Sequence, residues 1–207
     1  MKHTKLAIFL ALAALISACA ATTYGTSASY APNTSNPLAV TMPANAPAIS
    51  QQFRVPPPGG DAAGRGGEHL GIDILAAEGT RVISAAPGRV VQSFFEPAYG
   101  NRVVIDHGPD ENGLRITTIY KHLQQRLVTP GTSVERGQHI AALGKTGVLA
   151  GGIVHLHFEV YRAKRPRGIE PIDPHLMWQN GVGRVSCHTG PAQPEAPLRL
   201  TYPIACK

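Results

Sequence analysis

The run His155-Leu156-His157-Phe158-Glu159-Val160 alternates polar and apolar side chains with the period of an extended strand. Successive strand side chains point to opposite faces, so Leu156, Phe158 and Val160 can be buried while His155, His157 and Glu159 look out together. His69-Leu70-Gly71-Ile72-Asp73 opens a second strand of the same kind, with Ile72, Ile74 and Ala76 as its buried face and His69, Gly71 and Asp73 opposite. Gly71 has no side chain, which leaves space between an imidazole and a carboxylate for a third body. Either fragment alone reads more simply as a half-exposed polar face. Together they supply neutral imidazoles and a carboxylate, the ligands zinc uses, and three protein ligands with one open position is the catalytic arrangement. No Cys lies near these positions, which argues against a structural thiolate site.

The start of the chain is a different kind of segment. Lys2 and Lys5 precede an apolar run over residues 6–16 and then small residues, the pattern of a secretory signal over 1–18. The run is too short for a spanning helix, which needs about 20 apolar residues. Ile16-Ser17-Ala18-Cys19 resembles the bacterial lipoprotein signal, in which Cys19 becomes the lipidated first residue. Cleavage after Ala20 would leave no lipid, and either route exports the chain. Lipidation of Cys19 also leaves an even pair, Cys187 and Cys206, to form a disulfide whose loop of about 20 residues is worth ~3 kcal/mol. Residues 19–48 are rich in Ala, Thr, Ser, Asn and Pro and nearly uncharged, so they read as the lipidated Cys and a flexible tether.

Beyond the tether, 22 Gly and 18 Pro favour short strands joined by turns. Strands are expected over 80–85 and 89–95, flanking Ala86-Pro87-Gly88 as a hairpin turn, and over 102–106, 115–123, 128–134 and 138–143. No long amphipathic helix is expected. Tyr120 and His122 should share one face of their strand, with Leu123 on the other. His107 and His139 lack partners at ligand spacing and read as structural or surface residues, and His175 reads as a surface residue and not a ligand. The net charge of +6 suits an anionic wall or membrane surface. There is no basic stripe interleaved with aromatics, so nucleic acid is not an expected partner.

Seven fragments in order, over residues 49 to about 178, resemble the LytM and lysostaphin group of zinc endopeptidases that cut bacterial cell-wall peptides. They are His69-Leu70-Gly71-Ile72-Asp73, Tyr99-Gly100-Asn101, Asp106-His107-Gly108, Tyr120-Lys121-His122-Leu123, Val134-Glu135-Arg136-Gly137-Gln138, Gly144-Lys145-Thr146-Gly147 and His155-Leu156-His157-Phe158-Glu159. The resemblance implies an all-β, compact, mostly antiparallel, sandwich-like domain with a groove over 49–180; the tail over 181–207, with Cys187 and Cys206, lies outside it. It assigns His69, Asp73 and His157 to one Zn(2+) per chain, and His122 and His155 to catalysis. One of these two would take a proton from water and the other would hydrogen-bond the developing oxyanion. Glu159 reads either as a residue that orients an imidazole or as a solvated carboxylate.

The implied activity is hydrolysis of peptide cross-links in peptidoglycan, at an envelope site expected to be the periplasmic face of the outer membrane. The partners would be peptidoglycan, the membrane through the lipid, and cell-wall synthesis or division proteins. The alternative is a non-enzymatic activator of a wall amidase, a role taken by family members that have lost ligands. Residues 110–114 and 148–154 look longer than usual for the group, and both are expected beside the groove. Arg65 stands where some members place a tyrosine.

Overall fold

The structure, a computed structural model, describes residues 22–27, 38–55, 68–164, 166–190 and 197–207. The leader, Cys19 and Arg65 lie outside the described residues. The strands are β1 (Thr22–Ser27), β2 (Leu38–Met42), β3 (Ile49–Gln51), β4 (Gly71–Ile74), β5 (Arg81–Ile83), β6 (Gly88–Glu96), β7 (Gly100–Pro109), β8 (Arg115–Leu123), β9 (Gln125–Arg126), β10 (Ser133–Val134), β11 (His139–Ala142), β12 (Leu156–Ala163) and β13 (Ile169–Ile172). The only helices among the described residues are two 3-10 turns, Val148–Ala150 and Pro174–Leu176.

One sheet, in the order β10-β6-β7-β8-β12-β4-β3 with β13 also on β12, forms the body. A smaller sheet, β5-β11-β9, packs with it, and β1 pairs with β2. Every pairing between these named strands is antiparallel. The fold is therefore the all-β, antiparallel one anticipated from the motifs. Leu156, Phe158 and Val160 of β12 are fully buried, with Ile72 and Ile74 of β4 and Ile116 and Tyr120 of β8. Alternation along β12 thus does what its sequence requires, committing one face to the core and freeing the other for polar groups.

Three expectations are corrected. Residues 80–95 do not form a hairpin: β5 pairs with β11, whereas β6 pairs with β7 and β10. Val82, Ile83, Ser84, Ala85 and Ala86 are all buried, so this run crosses from one sheet to the other through the interior, and a hairpin with one wet face would leave half of it exposed. The expected strand over 128–134 shrinks to Ser133–Val134.

The folded body is also wider than 49–180. Val40 and Met42 are buried, and Thr41 exchanges backbone bonds with Gly183 and Val185 at 2.8 and 3.0 Å, so residues 38–48 are not tether. At the other end Leu198, Leu200, Tyr202 and Ile204 of the tail are core residues. Tyr202 lies 6.1 Å from Trp178, which stacks on Phe158. Cys187 and Cys206 are disulfide-bonded, with Cα atoms 5.9 Å apart.

Candidate metal centre

Register brings the ligand fragments together: His157 of β12 stands opposite Asp73 of β4 on one side and opposite Lys121 of β8 on the other. Gly71 sits opposite Glu159, where any Cβ would run into the Phe158 carbonyl. The glycine thus permits close strand contact rather than opening a gap for an ion. His69 precedes β4, and its backbone is zipped to Arg54 by bonds of 2.9 and 2.8 Å.

Three ligand atoms converge. Asp73 Oδ1 lies 3.1 Å from His69 Nε2 and 2.8 Å from His157 Nδ1, and the two nitrogens are 3.1 Å apart. The far nitrogen of each imidazole is committed elsewhere: His69 Nδ1–H donates to Gln52 O at 2.9 Å, and His157 Nε2–H donates to Glu159 Oε1 at 2.9 Å. A neutral imidazole has one N–H, so both near nitrogens point lone pairs at each other and at a carboxylate oxygen. Such a set repels itself unless a positive charge sits between, either a metal ion or a proton that the imidazoles share with Asp73. Ligands about 2.0–2.1 Å from a tetrahedral zinc lie roughly 3.3 Å apart, close to the spacing here. His69, Asp73 and His157 are thus a group that could hold a metal.

The electrostatics fit. Burial disfavours charge on Asp73, but hydrogen bonds from His157 and His69 outweigh it and hold the carboxyl below the usual range. Burial likewise opposes charge on His157, yet Asp73 and Glu159 raise its pKa. A metal must therefore displace a proton there, which makes binding weaker in acid.

His122 and His155 share the cleft, with ring centroids 4.7 Å apart. His122 Nδ1–H donates to Thr146 O at 2.9 Å and His155 Nδ1–H to Ile153 O at 3.0 Å. Both Nε2 atoms are thereby left as acceptors. Burial is the main cause that lowers the His122 pKa to about 4, so the ring is neutral near pH 7. The cleft, about 300 Å³, is also lined by Tyr99, Leu70 and Leu149.

Several side chains sit elsewhere than the sequence suggested. Tyr120 does not share a face with His122: it is fully buried against Phe158, and its hydroxyl accepts from Ala85 N at 2.9 Å. His122 has φ of 63°, a left-handed conformation rare for residues other than glycine. That twist breaks the strand alternation and turns His122 onto the cleft side beside Lys121.

Glu159 is not solvated; it is 2% exposed and accepts from Lys121 Nζ at 2.6 Å as well as from His157. His175 is not a surface residue but fully buried. Loop 110–114 is not beside the cleft. It begins β8 at the end opposite His122, roughly 25 Å away by strand rise, and Glu111 is held there by Arg199 at 2.8 and 3.1 Å. Loop 148–154 does flank the cleft, with Val148 80%, Leu149 60% and Ile153 61% exposed. Sequence reasoning passed over Lys121, whose ammonium also lies 3.8 Å from the Tyr99 ring centroid. It also passed over Gln52, which acts through a backbone carbonyl and so leaves no side-chain signature.

An antiparallel β protein with a His-Asp-His ligand group and two further imidazoles in an open cleft has the layout of a metallopeptidase. Residues 67–174 match the model of peptidase family M23, and the chain belongs to that family. It is 41% identical over 103 residues to the peptidoglycan DD-endopeptidase ShyB of Vibrio cholerae, covering 50% of this chain and 22% of that protein. It is 38% identical over 92 residues to the murein hydrolase activator EnvC of Escherichia coli, covering 44% of this chain and 20% of that one. The chain thus spans about a fifth of the length of these curated relatives. A crystal structure of a zinc-containing peptidase from Vibrio cholerae overlays with a TM-score of 0.50 at 34% identity, covering 65% of this chain and 37% of that one.

Proposed function

We propose that the chain is an exported zinc endopeptidase that hydrolyses peptide cross-links of bacterial peptidoglycan. The observation that carries the proposal is the convergence of the Asp73, His69 and His157 acceptors beside two imidazoles whose Nε2 atoms are free to take a proton. Zinc held by those three residues would lower the pKa of a bound water and polarise the scissile carbonyl. His122 and His155 do the proton work. The imidazole that accepts the water's proton at Nε2 becomes a donor there, able to stabilise the developing oxyanion or return the proton to the leaving amine. The Thr146 and Ile153 carbonyls keep both rings aimed into the cleft. Lipidation at Cys19 would hold the domain near the outer membrane, facing the wall.

The test is digestion of purified peptidoglycan by the mature chain with and without a chelator, followed by mass analysis of the released fragments. New muropeptides that vanish with chelator and return with zinc are the expected result. The identity to EnvC supports the rival role of amidase activator. Against that role stands the complete set His69, Asp73, His122, His155 and His157. A folded, zinc-loaded chain that cleaves nothing but stimulates an added amidase would overturn the endopeptidase reading.

A further inference from the structure

His69 is held by a chain of hydrogen bonds that begins in the core. Trp178 Nε1–H donates to His175 Nδ1 at 2.8 Å. An imidazole that accepts at Nδ1 and is neutral carries its proton on Nε2, so His175 Nε2–H donates to Gln52 Oε1 at 2.8 Å. Gln52 in turn offers its backbone carbonyl to His69 Nδ1–H at 2.9 Å. His175 and Trp178 are both fully buried, and burial lowers the His175 pKa to about 4, so the direction of the chain is fixed near pH 7. Every link has one donor and one acceptor.

The segment that carries Gln52 follows the rest of the site closely. Gln51 pairs with Asp73, and Arg54 is bonded both ways to His69. Trp178 is in turn seated by the tail: Leu200 N donates to Met177 O at 2.8 Å, and Gln179 N to Leu200 O at 2.9 Å. Gln52, His175 and Trp178 all lie outside residues 67–174, the part that matches family M23.

We infer that Gln52 and His175 are positioning residues for the metal ligand His69, fixing its ring and tautomer through the chain Trp178–His175–Gln52–His69, an inference that rests on the metal-site reading above. The 52–54 segment holds His69 at both its ring, through Gln52 O, and its backbone, through Arg54, so this segment orients the ligand. Outer partners of metal-bound imidazoles typically change metal affinity about 10–100-fold when removed.

The test uses the full chain and three variants. Gln52→Leu removes the Oε1 acceptor at a half-buried position while keeping the backbone carbonyl. Gln52→Glu retains an acceptor for His175, and His175→Phe keeps the core filled but removes both links. Zinc affinity is read by competition with a chromophoric chelator, and ligand orientation by the visible spectrum of the cobalt(II) form at saturating metal. Melting temperature without metal is measured beside them. Gln52→Leu and His175→Phe should bind zinc at least tenfold more weakly with an altered cobalt spectrum, and Gln52→Glu should stay within about threefold of the parent. A parent that binds metal while Gln52→Leu matches it in affinity and spectrum would overturn the inference and leave the metal site standing. A parent that binds no metal would overturn both.

Discussion

Lys121→Met tests the buried charge pair behind His157. The two side chains of that pair are 6% and 3% exposed, and Lys121 Nζ lies 2.6 Å from Glu159 Oε1. Methionine keeps the length and apolar volume of the lysine and removes its charge. Glu159 then keeps only the N–H of His157, because its other oxygen has no hydrogen bond among the described residues. Removing one member of a buried pair costs about 3–5 kcal/mol, since the remaining charge is stranded. The retained His157 bond argues for the lower end, with up to about 1 kcal/mol more from the lost contact with the Tyr99 ring. A loss of about 3–4 kcal/mol in a chain of this size lowers the melting temperature by roughly 6–16 °C.

Urea unfolding followed by circular dichroism, with chelator present so that metal binding adds nothing, gives the number directly. The double variant Lys121→Met/Glu159→Gln removes both charges and keeps an amide oxygen for His157. It should recover at least about 2 kcal/mol relative to the sum of the single variants. A single-variant cost under about 1 kcal/mol, or strict additivity in the cycle, would refute the view that Glu159 depends on Lys121 for its charge.

Three further outcomes are expected. His157→Ala should lose both metal and activity, whereas His122→Ala should lose activity and keep the metal; metal content of the purified variants decides, and loss from both would overturn the division of roles. Stability should fall as pH drops from about 6.5 to about 4, because His175 is lowered from 6.5 to about 4 in the folded chain, so the unfolded chain binds the extra proton first. Integrated over that window the loss is on the order of 3 kcal/mol, and urea unfolding across the range should show His175→Phe with a flatter acid limb. Gly147 has φ of +87°, and a Cβ there would strike the backbone of Tyr99 and Gly100. Gly147→Ala should therefore displace the loop whose carbonyls hold His122 and His155, and turnover should drop at least tenfold while zinc affinity stays within threefold.

The grouping of His69, Asp73 and His157 was legible in part: a two-residue period put the His155 and His157 pair on one face of the run that contains β12 and Asp73 on one face of β4, while the family resemblance and not the spacing singled out His157 over His155. His122 was legible by motif but not by geometry, since nothing in Tyr120-Lys121-His122 announces the positive φ that places consecutive side chains on one side. The tail was readable and overlooked: Leu198, Leu200, Tyr202 and Ile204 alternate as a buried strand face should. His175 was misread because its partners, Gln52 and Trp178, include one 123 residues away. The crossing at 82–86 looked like a hairpin because Pro-Gly punctuation marks a turn without saying which strands it joins.

The placement of β3 has a practical consequence. Strand β3 closes the end of the main sheet beside β4, which carries Asp73 and leads on from His69. A fragment cut to the family-matched residues would strip β3 away and turn β4 into an open edge with unpaired amide and carbonyl groups. Such an edge invites strand addition from another molecule. The shortened protein would then be prone to self-association through the very strand that holds its ligands, and its failure to bind zinc could be mistaken for a defect of the ligands themselves.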